Sequence, residues 1–171
     1  IAAGADVDQA RTDDGTTPLC TAAYGGYSKV VKMLIAAGAD LNQARTDDGT
    51  TPLYIAAHNG HFKVVQKLVA AGADLNQART DDDSTPLHAA AFYGHTEIVA
   101  TLLQHGADRS IRAFDNMTPL EVAQHEKQPD VIALLLKQKV SYIDHIVQYR
   151  LFLTLAALVV TILLCYRVDG L

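Results

Sequence analysis

Apolar residues recur along this chain in two alternating patterns, a short continuous run and a stripe at helical spacing. Together these patterns predict pairs of helices. Within residues 46–79, a short apolar run at 53–57 is followed by a stripe. The stripe consists of Val64, Val65, Leu68 and Val69. Its spacing is that of one buried helix face. Ahead of the run, Thr51 supplies an N-cap and Pro52 occupies the first helical position, where a missing N–H costs nothing. The pattern predicts one helix, a tight turn, and a second helix that begins near Phe62.

This pattern recurs at a nearly fixed period. Thr-Pro-Leu begins at Thr17, Thr51, Thr85 and Thr118, so successive copies are 34, 34 and 33 residues apart. Residues 12–45 and 46–79 are identical at 25 of 34 positions, and residues 80–113 form a more diverged copy. Such a period is typical of stacked repeat arrays. We therefore predict three repeats, at 12–45, 46–79 and 80–113, with a C-terminal capping repeat at 114–138. Residues 1–11 match the end of each later repeat, which predicts the tail of a truncated repeat and a fragment of a longer array.

The motifs inside each copy resemble those of the ankyrin repeat family. They are T-P-L-H at Thr85–His88, Gly-His at 60–61 and 94–95, and G-A-D-x-N at Gly38–Asn42 and Gly72–Asn76. The resemblance implies an all-α ankyrin-repeat solenoid, with two helices and a β-turn finger in each repeat. It also implies a non-enzymatic interaction module that binds a protein partner through a concave groove, which the first helices and the fingers line. We expect the array to be monomeric.

Three features depart from the family pattern. Residues 42–49 hold one residue more than the usual ankyrin finger, so the tip of the turn is expected to be longer or bulged. Asp83 replaces the glycine found at Gly15 and Gly49, and an aspartate adopts positive φ only at some cost. Lys127 and Gln128 stand where Gly-His is expected. Polar replacements are expected where a stack ends, because a terminal repeat faces water on one side.

Differences between the near-identical copies indicate where a partner would bind. The first and second full repeats differ along the first helix and its turn, at positions 20, 21, 24, 25 and 27 of the first copy, and the third carries further changes there. By resemblance, this helix lines the groove, and aromatic side chains offer the large contact areas that interfaces favour. The expected contacts are Tyr24, His58, Phe92 and Tyr93. Neutral drift after a recent duplication explains the same differences, and the sequence leaves both explanations open.

Pairs of aspartates recur at the finger tips. They are Asp13-Asp14, Asp47-Asp48 and Asp81-Asp82, and the last pair is followed by Asp83. Aspartate favours tight turns through bonds between its side chain and the backbone, and an arginine precedes each pair by two residues. A structural role in the turn is the first interpretation. The alternative is an acidic surface for a basic partner segment, formed by Asp47, Asp48, Asp81 and Asp82.

Catalytic, metal-binding and nucleic-acid-binding functions are not expected. The seven histidines lack the converging spacing of a metal site, and three of them, His61, His88 and His95, occupy structural positions of the repeat. Cys20 takes the histidine position of T-P-L-H and is expected to be a small buried residue. No phosphate-binding glycine loop occurs, so no cofactor is predicted. The net charge of −5 argues against nucleic acid as a partner.

The C-terminal region carries a different signal. Residues 151–166 are uncharged and predict a transmembrane helix, although sixteen helical residues span only about 24 Å of a core of about 30 Å. The membrane-spanning side chains are Leu151, Phe152, Leu153, Leu155, Leu158, Val159, Val160, Ile162, Leu163 and Leu164. Residues 139–150 are expected to form a helical connector. Basic residues are more numerous before the segment than after it, which predicts a membrane-associated chain with its repeats facing the cytoplasm.

Two other organisations fit the same residues. In one, the chain is a regulatory ankyrin fragment of a larger channel or membrane enzyme. In the other, it is a cytoplasmic, soluble adaptor whose hydrophobic C-terminal helix packs on the stack or on a partner.

Overall fold

A computed structural model describes residues 6–113 and 115–137 of the chain. The helices are α1 Pro18–Tyr24, α2 Ser28–Ala36, α3 Pro52–His58, α4 Phe62–Ala70, α5 Pro86–Phe92, α6 Thr96–Gln104 and α7 Pro119–His125. Residues 129–137 are also helical. The chain divides into two compact units, Ile1–Leu134 and Leu135–Leu171, and of the second unit only residues 135–137 are described.

The predicted connector at 139–150 and the predicted transmembrane segment at 151–166 lie outside the described residues. Within residues 6–113 and 115–137, no helix is long and apolar enough to cross a bilayer.

The helices of the first unit form two layers. Each of the first helices α1, α3 and α5 packs against the next first helix of the stack, α3, α5 or α7. The second helices α2, α4 and α6 pack against one another in the same order, and α1, α3 and α5 each pack on the second helix of their own repeat. The core between the layers contains fully buried leucines, among them Leu19, Leu53, Leu68 and Leu87. The predicted helical repeat architecture is therefore confirmed for the described part of the chain.

The Thr-Pro-Leu motif starts each first helix as predicted. Thr17 accepts a hydrogen bond from the backbone N–H of Cys20, and Thr51 accepts one from Tyr54, both at 3.1 Å. A proline follows at the start of each helix. These bonds satisfy backbone donors that the helix itself leaves unpaired.

The turn between the two helices of a repeat requires a left-handed residue. Gly60 and Gly94 both have φ of 72°, and a Cβ at Gly60 would lie 2.7 Å from the ring of His95. Lys127 takes the same conformation in the last repeat, with φ of 56°. The replacement of Gly-His by Lys-Gln therefore preserves the turn, at the cost of a left-handed non-glycine residue.

The fingers of the first three repeats are longer than the finger of the fourth. The N–H of Arg45 donates to the carbonyl of Thr50, whereas in the shorter last finger Ala113 pairs with Met117 across a tight turn. Between Ala113 and Met117, Asp115 and Asn116 both have positive φ, at 53° and 62°. The longer fingers instead use one left-handed residue, Gly49 at 71° and Asp83 at 59°.

Candidate protein-binding surface

The third residue of each first helix (the N3 position) contacts the following finger in the first three repeats. Cys20 Sγ lies 3.8 Å from the carbonyl of Gln43. In the second repeat, Tyr54 Oη lies within hydrogen-bond distance, 3.1 Å, of Ser84 Oγ in the next finger. These different side chains are all buried, and each one links its repeat to the next.

His88 makes the most complete link of this kind. Its Nδ1 accepts from the backbone N–H of Thr85 at 3.3 Å and lies 2.8 Å from Thr85 Oγ1. Its Nε2 lies 3.2 Å from the carbonyl oxygen of Met117, which can only accept, so Nε2 carries the proton. Burial lowers the pKa of His88 below its ordinary value of 6.5, because the charged imidazolium is poorly solvated there. The T-P-L-H histidine is thus a structural group.

The Gly-His position forms a second set of links, directed toward the preceding repeat. His61 Nε2 donates to the carbonyl of Tyr24 at 2.8 Å, and His95 Nε2 donates to that of His58 at 3.1 Å. In the last repeat, Gln128 Nε2 donates to the carbonyl of Phe92 at 3.1 Å. Gln128 was expected as a degenerate polar residue at the end of the stack, but it reproduces the histidine contact.

The three carbonyls that accept these bonds belong to one row of residues. We call the last residues of the four first helices the ring row, because every one of them carries an aromatic or imidazole ring. They are Tyr24, His58, Phe92 and His125. Hydrogen bonds from the next repeat therefore fix the backbone of the first three members, while their side chains differ. Sequence reasoning missed His125, although the 33-residue offset between Thr85 and Thr118 leads from Phe92 to it.

The expected contacts of the second and third repeats form one cluster. The rings of His58 and Tyr93 meet edge to face with centroids 4.4 Å apart, and those of Phe92 and Tyr93 are 4.9 Å apart. Tyr93 is 46% exposed, and Tyr24, two repeats earlier, is 68% exposed. Three of the four predicted groove residues are thus in contact, and the fourth occupies the same row. That they bind a partner stays a prediction.

The finger aspartates stabilise their own turns. Asp48 Oδ1 accepts from the N–H of Thr50 at 2.9 Å, and Asp82 Oδ1 accepts from that of Ser84 at 3.0 Å. Arg45 pairs with Asp47 at 2.5 Å, and Arg79 pairs with Asp81 at the same distance. These are the side-chain to backbone bonds expected of turn residues.

Two of the arginines also bridge neighbouring fingers. Arg79 lies 3.4 Å from Asp48, and Arg45 lies 3.6 Å from Asp14. Partial burial alone would raise the pKa of Asp48. Hydrogen bonds from Thr50 and the two nearby guanidinium groups outweigh it and hold that pKa below 3.8. Asp47, Asp48, Asp81 and Asp82 are therefore partly neutralised within the array, and their role toward a basic partner stays a prediction.

The G-A-D-x-N motif adds a third series of hydrogen bonds between successive repeats. Asn42 Oδ1 accepts from the backbone N–H of Asp74, and Asn76 Oδ1 accepts from that of Asp108, both at 2.8 Å. Asp8 plays the same part toward Asp40. The residues that are nearly invariant between copies thus connect one repeat to the next.

Within the described ranges, no group of three or more histidine, cysteine or acidic side chains converges as a metal site would require. Cys20 is buried, and desolvation raises the pKa of its thiol, which disfavours the thiolate that a nucleophile needs. The geometry of this unit is that of a stacked helical repeat array that presents a surface.

Comparison with protein families assigns this array to a family. The model described as ankyrin repeats (three copies) matches residues 1–79 and matches again at residues 77–146. The chain belongs to the ankyrin repeat family, whose members generally serve as non-enzymatic scaffolds for protein interaction. A comparison with curated proteins finds no sequence that matches this chain.

Proposed function

We propose that this chain is a protein-interaction module whose partner binds across the ring row and Tyr93. The observation that carries the proposal is the contrast between fixed backbone and variable side chains. His61, His95 and Gln128 hold the carbonyls of the row in place, whereas the side chains of the row differ from repeat to repeat. A preorganised backbone with exposed rings lowers the entropic cost of binding and provides the contacts that dominate interfaces.

The bound segment is expected to be a protein rather than a small molecule. The exposed rings of Tyr24 and Tyr93 belong to different repeats, so an occupant must extend along the stack to meet both. The exposed Asp47 and Asp81 at neighbouring finger tips favour basic residues in that partner.

A double substitution, Tyr24→Ala with Tyr93→Ala, tests the surface. The full chain and the variant are compared by quantitative pull-down from a lysate. We expect specifically captured proteins to fall by roughly tenfold or more, as truncation of aromatic hot spots commonly produces. Unchanged capture would rule out this surface.

The control changes three exposed second-helix residues at the same repeat position, Lys29, Lys63 and Glu97, to alanine. It alters three repeats on the other layer of the array, one more than the test variant alters. Capture should match that of the unmodified chain, and the far-UV circular dichroism of both variants should be unchanged.

We further propose that residues 151–166 anchor the chain in a membrane, with the repeats on the cytoplasmic side. The support comes from the sequence: this stretch has no charged residue, and Arg150 and Arg167 flank it. Lys137 and Lys139 add to the basic residues that precede it. Alkaline carbonate treatment of membranes from expressing cells tests the anchor. The chain should stay in the pellet, and its release into the supernatant would refute the proposal.

A further inference from the structure

The finger of the third full repeat differs from the two earlier fingers at one exposed position. Gly15 and Gly49 are buried, whereas Asp83, at the same place, is exposed. A Cβ added at Gly49 would lie 2.7 Å from the backbone nitrogen of Thr80, and Gly15 meets the following finger in the same way. A side chain at this place would therefore collide with the next finger in the first two copies, and it is accommodated in the third.

The side chain of Asp83 does not hold its own turn. The backbone N–H of Ser84 donates to Asp82 at 3.0 Å, and Arg79 pairs with both Asp81 and Asp82. Within the described residues, the side chain of Asp83 forms no hydrogen bond or ion pair. Its φ is 59°, a left-handed conformation that is more costly for a residue with a Cβ than for glycine. Because strained residues cluster at functional sites, Asp83 points to a role outside the turn.

Thr80 lies three residues before Asp83 and is exposed, as is Thr46 at the same place in the second finger. The backbone N–H of each threonine donates to a carbonyl of the preceding finger, at 3.0 Å for Thr80 and 2.9 Å for Thr46. Two aspartates follow both threonines. The two threonines thus share one local structure, and they differ in that Thr80 alone is followed by a third carboxylate.

Carboxylates one, two and three positions after a hydroxyl group form the pattern that acid-directed protein kinases recognise. Such kinases select a substrate by its charge pattern, which their own basic side chains match. Arg79 partly neutralises Asp81 and Asp82, whereas the charge of Asp83 is exposed. We propose that Thr80 is a phosphorylation site for a serine/threonine kinase of this class. This inference is independent of the proposed partner surface, because it concerns a finger hydroxyl and not the ring row.

The modification is a phosphoryl transfer from ATP. Thr80 Oγ1 attacks the γ-phosphorus, a new O–P bond forms, and the bond from that phosphorus to the bridging oxygen breaks, so ADP leaves. A base of the kinase takes the hydroxyl proton. The product adds about two negative charges to the finger of the third repeat.

Incubation of the full chain in mild detergent with ATP and the catalytic subunit of casein kinase II tests the proposal. Trypsin cleaves after Arg45 and Arg79, so Thr46 and Thr80 fall in different peptides, which mass spectrometry quantifies over time. We expect phosphate on Thr80. Incorporation on Thr46 should be slower by roughly tenfold or more, because one charged contact with the kinase is missing there. Thr46 is therefore a matched control within the same molecule.

Asp83→Asn separates the charge of this residue from its conformation. Asparagine also tolerates positive φ, so the turn is retained while the carboxylate is lost. Phosphorylation of Thr80 should slow by roughly tenfold, to the rate of Thr46. Thr80→Val removes the acceptor hydroxyl and should abolish the phosphate on that tryptic peptide. Far-UV circular dichroism checks that both variants remain folded.

Two results would overturn the inference. The first is the absence of phosphate from Thr80 in the folded chain, including the case in which a synthetic peptide of residues 74–90 is modified, since the finger would then be closed to the kinase. The second is an equal rate at Thr46 and Thr80, or an unchanged rate in Asp83→Asn, since either would show that the third carboxylate is not read. The comparison of Thr46 with Thr80 uses the unmodified chain, so it decides the matter even where a variant fails to fold.

Discussion

The side chains at the N3 position and those of the ring row both vary from repeat to repeat, but they have different roles. The N3 residues Cys20, Tyr54 and His88 are buried and link each repeat to the following finger. Tyr24, four residues after Cys20 on the same helix, is exposed. Variation between copies therefore marks a possible binding position only where the side chain reaches the surface. At a buried position, it shows that several side chains can make one structural link.

The largest expected effect lies at the N3 position of the third repeat. His88→Ala removes a fully buried ring and leaves the N–H of Thr85 without its acceptor, while the carbonyl of Met117 keeps only the bond from Ala113. We expect the free energy of unfolding to fall by about 3 kcal/mol. Urea unfolding followed by far-UV circular dichroism measures it. Cys20→Ala, at the same position in the first repeat, should cost about 1 kcal/mol, since it removes a single small atom.

A cost below 1 kcal/mol for His88→Ala would contradict the structural role that distinguishes the N3 position from the ring row. It would show that the links from N3 to the next finger contribute little to the stack.

The same histidine predicts a pH dependence. Because the folded pKa of His88 lies below 6.5, the unfolded chain binds a proton more readily. Its contribution to stability is complete above pH 6.5 and is lost as pH falls toward the folded pKa. The pKa values of Asp14, Asp48 and Glu121 are lowered too, so their contributions are lost only below about pH 4.

Urea midpoints measured between pH 7.5 and pH 5 should therefore decline, and His88→Gln should flatten that decline. Glutamine supplies one acceptor and one donor but cannot titrate. A decline of the same size in the variant would assign it to other groups.

The sequence predicts much of this fold because its signals are local. Thr51 and Pro52 start a helix through bonds within four residues, and the period follows from repetition of such signals. The structural role of His61 was also predictable, since it rests on the Gly-His motif of the family, which returns at residues 94–95. The finger aspartates were correctly assigned to turns for the same reason.

The separation of Tyr54 from His58 was not predictable from the sequence. Both differ from the first repeat, and both lie on one short helix. The environment of each side chain depends on contacts with residues about 30 positions later in the chain. Ser84 contacts Tyr54, and the ring of Tyr93 contacts that of His58. Only the packing of one repeat on the next decides which of two variable positions is covered.

A smaller effect is expected at the N3 position of the second repeat. Tyr54→Phe removes the hydroxyl that lies 3.1 Å from Ser84 Oγ, but Ser84 keeps its bond to Asp82, at 2.5 Å. Arg79 also remains over the ring, 5.3 Å from its centroid. We expect a loss of about 1 kcal/mol in unfolding free energy. Tyr24→Phe is the matched control on the ring row, and it should change nothing because its hydroxyl is in water. Equal losses for the two would show that burial of the N3 hydroxyl has no energetic consequence.

The smallest effect on stability belongs to the ring row itself. Tyr24→Ala removes a ring that is 68% exposed, while the bond from His61 uses the backbone carbonyl and survives the substitution. The free energy of unfolding should change by less than about 0.5 kcal/mol, as is usual for surface positions. Urea unfolding of the single variant checks this. A loss above 1 kcal/mol would make Tyr24 a structural residue like its N3 neighbour. If Tyr24→Ala leaves stability unchanged but weakens capture of partners, then Cys20 and Tyr24, the two variable positions on this helix, have separate roles.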